Sequence, residues 1–121
     1  PTTILAVRSD FLSQHPDTVK ALLKGQLGAE DLIAKDPAKA QADVAAIIEK
    51  VSGKPVKVSD IAAPWKNIEF TNDPVTSAIT EGAKHALAVG VLKKEPDLTG
   101  MVDLTMLNSL LSASGKPTAT P

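Results

Sequence analysis

Apolar positions recur at helical spacing along most of this chain and at strand spacing almost nowhere. Val19, Leu22, Leu23 and Leu27 follow the i, i+3, i+4, i+8 rhythm of one buried helix face. His15-Pro16 opens that helix, because proline at the first helical position loses only an N–H that has no partner anyway. Asp17 favours the positive end of its dipole. Leu32 and Ile33 keep the face apolar, so the helix is expected over 16–34, although Gly25 and Gly28 each weaken it by about 1 kcal/mol relative to alanine. Upstream, Ser9 or Asp10 is placed to cap a short helical turn through Gln14. Asp36-Pro37 repeats the cap-then-proline start and predicts a helix over 37–51, with Val44, Ile47, Ile48 and Val51 inward and Gly53 as its stop. Ser59 caps a helix expected over 59–66, which Pro64 kinks or limits to two turns. Asp73-Pro74 predicts a helix over 74–89. Its face of Ile79, Gly82, Ala83, Ala86, Leu87 and Gly90 is small enough to admit another backbone closely. A last helix over 105–111, capped by Asp103 or Thr105, turns Leu104, Leu107, Leu110 and Leu111 inward. Residues 112–121, SASGKPTATP, read as a disordered tail.

Against this helical pattern one stretch stands out. Residues 2–7, TTILAV, form a short apolar and partly β-branched run, which predicts a strand buried on both faces. NIEFT at 67–71 is a weaker second. A lone strand cannot satisfy its own backbone N–H and C=O groups. Either 2–7 pairs with a chain outside this sequence, or it is not a strand; the first is preferred. The fold class expected is therefore mostly α, about five helices plus one N-terminal strand. The chain also begins at Pro1 rather than Met, which points to a processed or truncated product.

Composition narrows the chemistry. At 121 residues one domain with a real core is the natural expectation. Aromatics are only 2% of the chain (Phe11, Trp65 and Phe70), so the core must come from Ala, Val, Ile and Leu. A formal charge of −1 leaves no basic footprint for nucleic acid. Without cysteine there are no disulfides, no thiol catalysis and no cysteine-ligated metal. No apolar run approaches the ~20 residues of a membrane helix, and no signal-peptide pattern is present.

Catalytic constellations are missing from the pattern. His15 and His85 have neither a second His nor a well-spaced carboxylate to complete a metal site. They read as a helix-entry residue and a partly exposed hydrogen-bonded side chain. There is no G-x-S-x-G, S-x-x-K, G-x-G-x-x-G or Walker pattern. No catalytic residue, metal or cofactor is assigned. Three residues remain as ligand-binding candidates. Thr2 and Thr3 enter the expected strand, where hydroxyl or N–H groups would face a small anion, against plain capping or solvent contact. Trp65 is either a cleft wall or an anchor on Ile61 and Ile68.

Two passages carry a family resemblance. The first is TTILAVRSDFLSQHPDTVKALLKG, a strand, an R-x-D-F turn, an H-P start and an amphipathic helix. The second, WKNIEFTNDPVTSAITEGAKHALAVGVLKKEPDLTGMVDLTMLNSLL, runs through Trp, I-x-F-T, Asp-Pro, a long helix closing on Gly-Val-Leu, PDL and a Leu-Asn close. Asp36-Pro37-Ala38-Lys39-Ala40 lies between them at the family's helix junction. Together they resemble the C-terminal part of extracytoplasmic solute-binding proteins of ABC importers, in the branch that takes aliphatic sulfonates, taurine and nitrate. The resemblance implies a fragment of a two-lobe α/β periplasmic-binding-protein-like fold of type II. It implies capture without chemistry of a sulfonate-like or other small anionic or organic solute. The implied partners are that small-molecule solute, the ABC permease subunits and the remaining N-terminal part of the same protein. The implied location is extracytoplasmic, either periplasmic or lipid-anchored at the cell surface. Two other functions are weighed beside it. One is a stand-alone helical interaction module that adds the edge of 2–7 to a partner's sheet. The other, less favoured, is an enzyme of the pyrimidine-precursor-synthase type on the same fold, for which neither histidine sits in a suitable motif.

Overall fold

A computed structural model describes residues 3–120. It is all-α: six helices and, among the described residues, no strand. The helices are α1 (Ser9–Gln14), α2 (Pro16–Lys35), α3 (Pro37–Ser52), α4 (Val58–Trp65), α5 (Thr76–Ala88) and α6 (Thr105–Ala113). The chain divides into two compact units. Unit 1 comprises Pro1–Lys20 and Asn72–Pro121, and unit 2 comprises Ala21–Thr71, so the division falls within α2.

The expected strand at 2–7 is corrected for residues 3–7, which form no ladder; Thr2 lies outside the described residues. The reason is the one the backbone demands. Residues 67–71 form no strand either, so no sheet edge is present among the described residues to accept the pairing. Ile4 and Leu5 are consequently 49% and 53% exposed.

Helix starts follow local chemistry, with differences. The Asp36 carboxylate accepts from the Lys39 N–H at 3.0 Å and Pro37 occupies the first turn, so α3 begins as its sequence directs. At α1 the N-cap position is Arg8 without a side-chain cap, in place of Ser9 or Asp10. Asp10 instead holds the Arg8 guanidinium with two bonds, at 3.0 and 2.6 Å. Nor does Ser59 cap α4, whose N-cap is Lys57; Pro64 lies inside this eight-residue helix. α5 starts two residues later than expected. Asp73 accepts from the Val75 N–H at 2.7 Å, and Val75 stands in the left-handed region at φ 51° before the helix begins at Thr76.

Packing departs further from the apolar pattern. In unit 2, α3 packs against α4, and the residues α3 buries are Ala40 and Ala45, with Val44 half-buried between them. Ile47, Ile48 and Val51, expected inward, are 60%, 40% and 83% exposed. On α2, Val19 and Leu27 are buried and Leu23 is half-buried, but Leu22 is exposed. In unit 1, Leu110 and Leu111 of α6 are buried. No residue of α5 is buried, and a Cβ placed on Gly82 meets no atom within 4 Å. The small-residue face of α5 therefore admits no close backbone neighbour at Gly82.

Of the segment read as a disordered tail, residues 112–113 belong to α6. α6 continues through Ala113, and Gly115 takes φ 68°. The Gly115 N–H then donates to the Ser112 carbonyl at 3.1 Å and the Lys116 N–H to the Leu111 carbonyl at 2.9 Å. This pair of bonds is a glycine-ended helix stop that turns the chain back.

Candidate functional site

The three sequence candidates fare differently. Thr2 lies outside the described residues. Thr3 is exposed in the stretch that leads to α1 in unit 1. Trp65 ends α4 in unit 2 and is half-buried. Its ring partner is Phe70, at 4.9 Å between centroids and a 42° tilt, a geometry aromatic pairs favour. The anchor is thus made with a residue five positions on, while Ile68 is 50% exposed. Thr3 belongs to unit 1 and Trp65 to unit 2.

Thr3 and Trp65 line neither of two concavities of unit 1. The larger, open and about 490 Å³, is lined by Gly100, Val102, Asp103, Leu104, Thr105 and Asn108. It forms where the loop before α6 meets the first turns of that helix. Asp103 accepts from the Thr105 N–H at 2.9 Å. That bond, and a second from the Thr105 hydroxyl, hold the Asp103 carboxyl below the usual carboxylate range. Asn108 spends its carboxamide on the backbone of Ala119, donating at 3.0 Å and accepting at 2.9 Å. The lining holds one negative charge and no positive one, so an anionic solute gains no charge pairing here. The smaller concavity, about 60 Å³, is lined by Thr80, Ala83, Lys84, Leu87, Glu95, Pro96 and Leu98. That is room for about two waters. Lys84 is taken up by Glu81 at 2.7 Å, which raises the ammonium's pKa and lowers the carboxyl's.

His15 stands at a helix entry, whereas His85, read as partly exposed and hydrogen-bonded, is exposed. His15 links α1 to α2 with its ring on Phe11, at 4.8 Å and a 47° tilt. His85 lies in the last turn of α5. Among the described residues no group of three or more His, Asp or Glu side chains is placed to hold a metal ion. Among the described residues no helix is long and apolar enough to cross a membrane.

The residue that sequence reasoning missed is Asn108. A signal was available, since asparagine is a poor residue for a helix interior and Asn108 falls in the middle of α6. Searches of family models, of curated proteins and of solved structures find no match to this chain.

Proposed function

We propose that this chain is the C-terminal part of an ABC-importer solute-binding protein, from the branch that takes sulfonate-like or other small anionic solutes. The order of the R-x-D-F, H-P, Asp-Pro and Gly-Val-Leu elements along the sequence supports this reading. The structural observation that carries it is apolar surface left open at positions whose pattern demands cover. Ile4 and Leu5 in unit 1, and Ile47 and Val51 in unit 2, are each about half exposed or more. In this reading the exposed Ile4 and Leu5 and the apolar stripe of α3 pack against the N-terminal part. The function is capture: two lobes close on the solute because it binds the closed form better than the open one. The lining of the larger concavity offers no cation, so the anion-binding groups belong to the remainder of the protein.

Intact mass and ligand response of the protein isolated from its native source test this. A mass well above 12.6 kDa, with a melting temperature raised by taurine, an alkanesulfonate or nitrate, is expected. A native protein of 12.6 kDa, or a larger one whose melting temperature none of these anions raises, refutes it.

The exposure of Ile4 and Leu5 also favours a second reading, an interaction module that lends residues 2–7 to a partner's sheet. Leu5→Lys separates the two. In the module it abolishes self-association of the 121-residue chain on size-exclusion chromatography; in the importer reading the elution position stays unchanged.

A further inference from the structure

The most specific polar contact left without a purpose is the one that holds the chain after α6. Gly115 reverses the backbone, and Pro117 prevents the helix from resuming. The returning segment is then seated on α6 by one side chain. Asn108 Nδ2 donates to the Ala119 carbonyl at 3.0 Å, and the Ala119 N–H donates to Asn108 Oδ1 at 2.9 Å. A carboxamide carries the same donor and acceptor as a peptide group. Asn108 therefore meets Ala119 as one strand residue meets another in a hydrogen-bonded pair. Both bonds are partly buried, where such pairs are stronger than in open water. Ala119 itself is half-buried, so a small side chain suits the paired position. Beyond Asn108 the surface continues into the open concavity of about 490 Å³ along Val102, Leu104 and Thr105.

We propose that α6 carries a binding site for an extended peptide segment, read through its backbone by Asn108, and that residues 116–120 occupy this site in cis as a strap. The paired residues lie only eleven positions apart, so the strap acts at high effective concentration. A competing segment enters only when the strap has left. Affinity comes from main-chain bonds, as in strand addition, and the requirement on side chains is smallness at the position of Ala119.

The test is made by NMR on the full 121-residue chain. The backbone heteronuclear NOEs of Thr118, Ala119 and Thr120 are expected to match those of α6. In Asn108→Ala they are expected to fall to the level of a free chain. Ala119→Pro removes the donated N–H without touching α6. It is expected to free the strap while the Leu110 and Leu111 amides keep their shifts. A capped KPTATP peptide added to the Ala119→Pro chain is then expected to shift the Asn108 side-chain amide resonances saturably. A strap that is mobile in the unmodified chain, or that stays ordered in both variants, overturns the proposal. So does a peptide that leaves the Asn108 resonances of the Ala119→Pro chain unmoved.

Discussion

Gly82 is where the expectation from sequence and the observed geometry predict opposite signs. It lies in the interior of α5, where glycine costs about 0.8–1.0 kcal/mol relative to alanine because the unfolded chain has more freedom to lose. A Cβ built on Gly82 meets nothing within 4 Å, so Gly82→Ala gains that propensity with no steric charge against it. The position is exposed, so burial adds little. The expected gain is about 1 kcal/mol. With an unfolding entropy of ~2.1 cal/mol/K per residue, a chain of 121 residues then melts about 4 °C higher if it unfolds as one. The rise is larger if unit 1 unfolds by itself, because a smaller unit has a smaller entropy of unfolding. Calorimetry gives the melting temperature, and urea titration should show a higher midpoint at unchanged slope. If instead another backbone lies against Gly82, as its small-residue face suggests, the added methyl overpacks the contact at a cost of about 1–3 kcal/mol. A lowered midpoint in the 121-residue chain would therefore refute the open geometry of α5. The same substitution in a longer native protein probes the proposed function. Stabilisation of the shorter form with destabilisation of the longer one means that the additional residues of the longer form cover this face.

Other substitutions test the local chemistry. Val75 is the one non-glycine residue at positive φ among the described residues, and a left-handed conformation costs an L-residue about 1–2 kcal/mol. Val75→Asn, which tolerates that region, should raise the urea midpoint by about 1 kcal/mol of stability, and a lowered midpoint counts against the assigned turn. Asp36→Ala removes the cap of α3 and should cost about 1 kcal/mol by the same assay. On the acid side, Arg8 lowers the Asp10 carboxyl, Lys84 that of Glu81, Thr99 that of Asp97 and Thr105 that of Asp103. A folded-state pKa below the unfolded value adds stability above the unfolded pKa, and that stability is lost as pH falls through the lowered one. The urea midpoint should thus hold steady from neutral pH to about pH 5 and fall below it. Asp103→Asn should make the fall shallower, and an unaltered acid slope would show that Asp103 contributes nothing to it.

What could be read from the sequence was whatever neighbours along the chain decide. Asp36-Pro37 starts α3 because cap, first-turn proline and accepted N–H all lie within four residues. Asp73-Pro74 has the same two letters and another outcome. There the carboxylate takes the Val75 N–H, two residues on, and the helix waits until Thr76. Both bonds are open to an aspartate, and the dipeptide does not choose between them. Residues 2–7 have a strand's composition, but a strand exists only where a second edge accepts its bonds, and composition cannot supply that edge. Asn108 was missed for the same reason, since its partner is eleven residues away, beyond a glycine turn that resembles a tail when read as composition.

The most telling disagreement is on α3. Periodicity identifies Val44, Ile47, Ile48 and Val51 as one apolar stripe, and α3 covers only its start, through Ala40, Val44 and Ala45. Alanines allow a short helix such as α4 to approach closely, but an eight-residue helix reaches about 12 Å along its neighbour. α3, at sixteen residues, extends about 24 Å. The stripe outruns its cover, which leaves Val51 at 83% exposure one residue from the helix end. Full burial of one such aliphatic side chain is worth about 1.5–3 kcal/mol. Ile47 and Val51 alone therefore leave a few kcal/mol of burial unrealised. Within unit 2 the amphipathic pattern of α3 is longer than the surface α4 covers. On α3 the mismatch between pattern and burial therefore marks Ile47 and Val51 as the positions where added cover would stabilise unit 2 most.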